Sequence, residues 1–91
     1  MPADDKIYLS KVRIENAEEC LNAARSLYEI GSYRSSANRS YYAVFHSMRA
    51  ILALDGIDMK HHSGIISDFR RLYIKTGVFD AKLSTIISVL F

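Results

Sequence analysis

The sequence predicts an all-α fold, an antiparallel up-and-down bundle of about four helices in a single domain over residues 1–91. Three observations carry that reading. Apolar residues recur at steps of three and four along most of the chain. One proline, four glycines and few β-branched clusters before residue 74 leave little to interrupt helices. Half of the 91 residues are apolar (49%) and a quarter are charged (24%), which is a soluble globular composition rather than a disordered one.

The first helix is expected from about Asp4 or Asp5 to Ile30. Carboxylates there suit an N-cap or first turn, where they meet free backbone N–H groups. Ile14, Ala17, Leu21, Ala24 and Tyr28 form its apolar stripe, and Gly31 ends it. The second helix is expected from about Tyr33 to Leu54. Ala37, Tyr41, Val44, Met48 and Ile51 make its stripe, widened by Phe45 and Leu52, and Asp55-Gly56 stops it. Gly31-Ser32 is a short connection, so the two helices should pair as an antiparallel hairpin.

Residues 56–62 read as a loop. Ser63 is the expected N-cap of a third helix that buries Ile65, Ile66, Phe69, Leu72 and Tyr73, and Lys75-Thr76-Gly77 breaks it. Asp80 is the next expected N-cap. A fourth segment carries Leu83, Ile86, Ile87 and Leu90, and its β-branched residues leave a strand open as well as a helix. The run from Ile86 to Phe91 ends without a cap, which fits a shortened chain or an end that packs on a partner.

The longest apolar stretch before residue 80 is Ala50 to Leu54, far below the roughly 20 residues that span a bilayer. The N-terminus has no apolar run of a signal peptide. The lone Cys20 can form no internal disulfide and is expected to be buried and inert, so the expected compartment is the cytoplasm and no membrane partner is expected. One cysteine also excludes a four-cysteine zinc site. His61-His62 is at most half of a metal site and reads better as solvated loop. No metal ligand set and no cofactor is expected.

Net charge is +2, but its distribution is uneven. Residues 1–29 hold six acids and four bases; residues 30–91 hold four acids, eight bases and all three histidines. The second helix has no acid, yet carries Arg34, Arg39 and Arg49. Either an anion or acids from another element complete that face; glutamates of the first helix are the plain alternative for Arg34 and Arg49. At about 100° per residue, Arg39 and His46 fall within about 20° of each other, two turns apart. Asn38, Tyr42 and Arg49 share the arc.

Arginine presents a planar fork of donors that matches phosphate. Histidine exchanges protons near neutral pH. RNA cleavage needs both, and its nucleophile, the 2′-hydroxyl, is already in the substrate. One arginine and one histidine per chain is a sparse set, which a two-fold dimer would double. On spacing alone, coincidence or an ordinary helix-surface contact is the better reading. Arg70-Arg71 and Lys75 form a small basic patch that reads as a solvated face.

The run Ser36-Ala37-Asn38-Arg39-Ser40-Tyr41-Tyr42-Ala43-Val44-Phe45-His46 resembles the HEPN (higher eukaryotes and prokaryotes nucleotide-binding) domain, whose signature is an arginine, four to six residues, and a histidine. The segments around Cys20-Leu21, Lys60-His61-His62-Ser63-Gly64 and Lys75-Thr76-Gly77 resemble its uncharacterised prokaryotic branch. The resemblance implies a helical bundle that forms a homodimer. It implies a metal-independent ribonuclease toxin of a toxin–antitoxin pair, with a minimal nucleotidyltransferase as antitoxin and RNA as substrate. Arg39 would bind phosphate and His46 would act as general acid or base at a dimer cleft. Asn38, Tyr42 and Arg49 would line the substrate site, and Asn38 or Ser40 would orient the pair. Other members are non-catalytic modules that bind a nucleotide or dock a nucleotidyltransferase. This sequence departs in two respects: the best-defined toxins have a shorter gap and, where Met48 stands, a tyrosine that the antitoxin adenylylates, and the family's bundles usually continue past the end of this sequence with a further long helix.

Overall fold

The computed structural model describes residues 1–90, with residue 90 by its backbone alone. Four α-helices form: α1 (Ala3–Glu29), α2 (Tyr33–Leu54), α3 (His62–Phe69) and α4 (Lys82–Leu90), with one π-helical turn (Arg70–Ile74) directly after α3. No strand occurs among the described residues, and the segment left open between helix and strand is helical. The chain divides into two compact units, residues 1–58 and 59–91.

In the first unit, both helix ends close in the same way. Gly31 and Gly56 adopt φ of +80° and +76°, a left-handed conformation that costs a glycine little. Beyond each, a backbone N–H reaches back to the last turn: Ser32 donates to the Leu27 carbonyl (2.8 Å) and Ile57 to the Leu52 carbonyl (3.1 Å). The expected ends of both helices therefore hold to within a residue or two.

The packing between α1 and α2 rests on small residues. Ala17 and Ala24 of α1 are buried, as are Ser36, Ala43 and Ala50 of α2, and both sets repeat every seven residues. The buried Ser36 hydroxyl donates to the Ala24 carbonyl at 2.7 Å, which sets the two helices in register. From that pair, steps of seven bring Ala43 opposite Ala17 and Ala50 opposite Ser10. At the far end Lys6 of α1 lies beside Gly56, so the helices run antiparallel as expected.

The stripes differ from the expected ones. On α1 only Ala17 and Ala24 are buried; Ile14, Leu21 and Tyr28 are exposed. Those three lie on a line about 60° from the alanines, and close approach at the alanines leaves the larger side chains at the flank. On α2, Ala37 is exposed, because near the hairpin connection only Ser36 of residues 33–38 is covered. Met48, Phe45 and Leu52 are buried, while Tyr41, Val44 and Ile51 are half-buried. Cys20 is a free thiol and half-buried, short of the burial expected for it.

In the second unit, α3 starts two residues earlier than expected. His61 is the N-cap and Ser63 lies in the first turn without a cap bond. Ile65 and Phe69 are buried, and Ile66, Leu72 and Tyr73 half-buried. Phe69, Tyr73 and Phe79 form an aromatic cluster with centroids 5.4–6.4 Å apart. Asp80 caps as expected: its carboxylate accepts from the Lys82 N–H at 2.8 Å. On α4, Ile87 is fully buried and Leu83 half-buried, but Ile86 is exposed. The Leu90 side chain and Phe91 lie outside the described residues.

The seam makes a stability prediction. Ala43→Leu inserts three heavy atoms where two backbones approach closely, and should destabilise the hairpin by about 1–3 kcal/mol. Urea unfolding followed by circular dichroism measures it, and an unchanged midpoint would mean that the seam is looser than Ser36 and Ala24 indicate.

Candidate functional site

The polar arc of α2 lies directly beside the seam. Arg39 and His46 each follow a seam residue, Ser36 and Ala43, by three positions, which is about 60° round the helix. Their side chains therefore emerge along the edge where α1 meets α2, and α1 contributes to their surroundings.

Arg39 is held by its neighbour. Its Nε and one terminal nitrogen both donate to the Asn38 side-chain oxygen, at 3.2 and 2.8 Å. Its guanidinium sits over the Tyr42 ring, 5.1 Å from the centroid, a cation–π contact. The Tyr42 ring lies 6.2 Å from that of His46. Arg39, Tyr42 and His46 thus form a continuous row along the helix. Of the two polar neighbours considered from sequence, Asn38 orients Arg39, whereas Ser40 donates back to the Ser36 carbonyl one turn earlier (3.0 Å).

Arg49 is completed by an acid from another element, as one of the two readings has it, and not by a glutamate of α1. It pairs with Asp58 at 2.8 Å, in the loop after α2. Arg13 of α1 reaches the same carboxylate oxygen at 3.1 Å. One carboxylate thus gathers two arginines from two helices. The antiparallel register places Arg13 opposite this stretch of α2. Neither Arg13 nor Asp58 stands out in the sequence as part of this face; the seven-residue spacing of small residues is the signal that could have found Arg13.

His46 is half-buried among these cations. Burial pushes its imidazole below the ordinary value of about 6.5, and the positive charges of Arg49, Arg13 and Arg39 push in the same direction. The ring is therefore neutral at neutral pH. Its Nδ1 is buried without a hydrogen-bond partner among the described residues. Tyr41 is held above its ordinary value by burial and by Tyr42, and stays a neutral phenol.

The other candidate groups are less organised. His61 and His62 are exposed. Among the described residues no cluster of three His, Cys, Asp or Glu side chains could hold a metal ion. No helix among them is long and apolar enough to cross a membrane.

Comparison with known proteins agrees with the resemblance read from the sequence. The family model described as the HEPN domain matches residues 10–91, across both units. A protein of Methanocaldococcus jannaschii named as a putative toxin is 39% identical over 75 residues, which is 82% of this chain and 56% of that protein. A UPF0332 protein of Thermotoga maritima is 35% identical over 75 residues, 82% of this chain and 57% of its own length. Another UPF0332 protein, from Pyrococcus horikoshii, is 40% identical over 67 residues, 74% of this chain and 47% of its own. The chain spans about half the length of the curated relatives it matches. No solved structure matches it.

The charge arrangement predicts the titration of His46. Its midpoint, followed by NMR, should lie below 6.5, and Asp58→Asn should lower it further by removing the carboxylate that offsets Arg13 and Arg49. An upward shift in that variant would contradict the electrostatic account. Because the folded-state value is depressed, the unfolded chain binds the proton more readily. The contribution of His46 to stability should be fully present above about pH 6.5 and fade as pH falls toward the folded-state value. His46→Gln should remove that part of the pH dependence.

Proposed function

The chain belongs to the HEPN domain family, and from that premise we propose that it is a metal-independent endoribonuclease of the toxin type, acting as a homodimer. The observation that carries this reading is the row Arg39–Tyr42–His46: a guanidinium steadied by a neutral amide, beside an imidazole that is neutral at neutral pH.

Each group has a task in this reading. Arg39 binds the scissile phosphate through its fork of donors and offsets the charge that builds up on it. Its partner Asn38 is uncharged, so the cation keeps its full attraction for an anion. Tyr42 offers a ring face and a hydroxyl to the adjoining nucleotide. His46 is the general base: Nε2 takes the proton of the 2′-hydroxyl, O2′ attacks phosphorus, and the bond to the 5′-oxygen breaks. The departing oxygen takes a proton from water, and the imidazolium formed at His46 returns its proton to the solvent. The products are a 2′,3′-cyclic phosphate and a 5′-hydroxyl. Arg49, tied to Asp58, supports the field around His46 and adds positive charge at the edge of the site. Two copies meeting at this face would supply the second arginine and histidine. A minimal nucleotidyltransferase is the antitoxin partner that fits this role, and the cytoplasm is its setting.

Purified protein incubated with single-stranded RNA in the presence of EDTA should yield fragments ending in 2′,3′-cyclic phosphate. His46→Gln should lower the rate by about 10²–10⁴, and Arg39→Ala by about 10²–10³. RNA left intact between pH 5 and 9 by the wild-type protein would defeat the ribonuclease reading. It would favour a non-catalytic module that binds a nucleotide or docks a nucleotidyltransferase through the same basic row.

A further inference from the structure

A second basic site lies wholly within the unit of residues 59–91. A cavity of about 600 Å³ opens between α3, the π turn and α4. Its walls carry Arg70, Arg71 and Lys75 together with the hydroxyls of Ser63, Ser67 and Ser88. No carboxylate among the described residues lines it, and Ile66 and the fully buried Ile87 give it an apolar side. Arg71 and Lys75 are exposed, as expected of a solvated face, and with the half-buried Arg70 they border one concavity.

The π turn gathers them. The Lys75 N–H donates to the Arg70 carbonyl at 2.9 Å, a five-residue step. That wider ring stacks Lys75 one turn above Arg70. In a continued α-helix the two would stand about 140° apart. Arg70 is also fixed in place: one terminal nitrogen donates to the Ser88 hydroxyl at 2.6 Å and to the Ser84 carbonyl at 3.2 Å, both on α4. Its Nε is buried with no partner among the described residues. Arg71 is half-engaged by an exposed ion pair with Asp68 (3.2 Å), a contact that competes weakly with a ligand.

We propose that this pocket is an anion site that binds the phosphoryl group of a sugar phosphate, with Arg70 as the fixed donor and Lys75, Arg71 and the serine hydroxyls closing round the oxygens. Hydroxyls and cations with no carboxylate match a phosphate oxygen set. Among the described residues no aromatic side chain lines the pocket, so they offer no platform for a base and read the phosphate and sugar. The same chemistry comes from a free sugar phosphate or from the backbone of an RNA strand. The site does not depend on Arg39 or His46, and stands or falls separately from the ribonuclease reading.

The test follows backbone amide shifts of residues 63–75 and 82–88 by NMR while ribose 5-phosphate, pyrophosphate or a short oligouridylate is added. Saturable shifts in these segments are expected for the source that binds, and the tightest of the three identifies it. Ser67→Asp places a carboxylate in the pocket without removing any bond described above, and should abolish the shifts. Lys75→Gln should weaken binding about tenfold and lower the slope of log affinity against log salt by about 1. His46→Gln should bind as the wild type does. Shifts that fail to saturate with all three probes, or midpoints unchanged in both Ser67→Asp and Lys75→Gln, would overturn the proposal.

Discussion

The hairpin of α1 and α2 depends on how closely two helices can approach when their facing residues are small. Alanines at 17, 24, 43 and 50 put no bulk between the backbones, and Ser36 uses the short gap to donate to the Ala24 carbonyl. A hydrogen bond between buried neutral groups is worth about 1 kcal/mol net, so its main effect here is on register rather than stability. Because the small residues repeat every seven positions on both helices, one fixed pair fixes the rest. The register then decides which side chains of α1 reach the polar arc of α2, and Arg13 is the outcome.

Around His46 the balance of charge is set by number. Three guanidiniums and one carboxylate surround an imidazole that is already partly withdrawn from water. Desolvation and the cations act together, so the neutral ring is the resting form. An approaching phosphate reverses the second effect, since its negative charge favours the protonated ring. An anion held beside His46 would therefore raise its proton affinity. Asp58 moderates the field without touching Arg39, because it pairs with Arg13 and Arg49 while Arg39 leans on an amide.

The helices were readable from sequence because their ends are local events. Gly31 and Gly56 supply left-handed residues where the last carbonyls need N–H partners, and Asp80 supplies a carboxylate for the start of α4. The buried faces were less readable. Large apolar residues suggested a stripe through Ile14, Leu21 and Tyr28, whereas close packing selected the alanines beside them. Hydrophobicity ranks a side chain by size, and a seam of closely approaching backbones ranks it the other way. The π turn was equally invisible, since Arg70–Ile74 has a helical pattern and only the five-residue hydrogen bond separates it from α-helix.

The sequence by itself determined that Asn38, Arg39, Tyr42, His46 and Arg49 share one arc, because a period of 3.6 residues follows from the backbone alone. It likewise carried the family, through the spacing of Arg39 and His46 and the residues around them. Only the tertiary structure decided which groups neutralise, shield or hold that arc. Asp58 meets Arg13 across 45 positions of chain, and Arg70 meets Ser88 across 18. Contacts of that range depend on the register of one helix on another, and the pattern within either helix does not contain it.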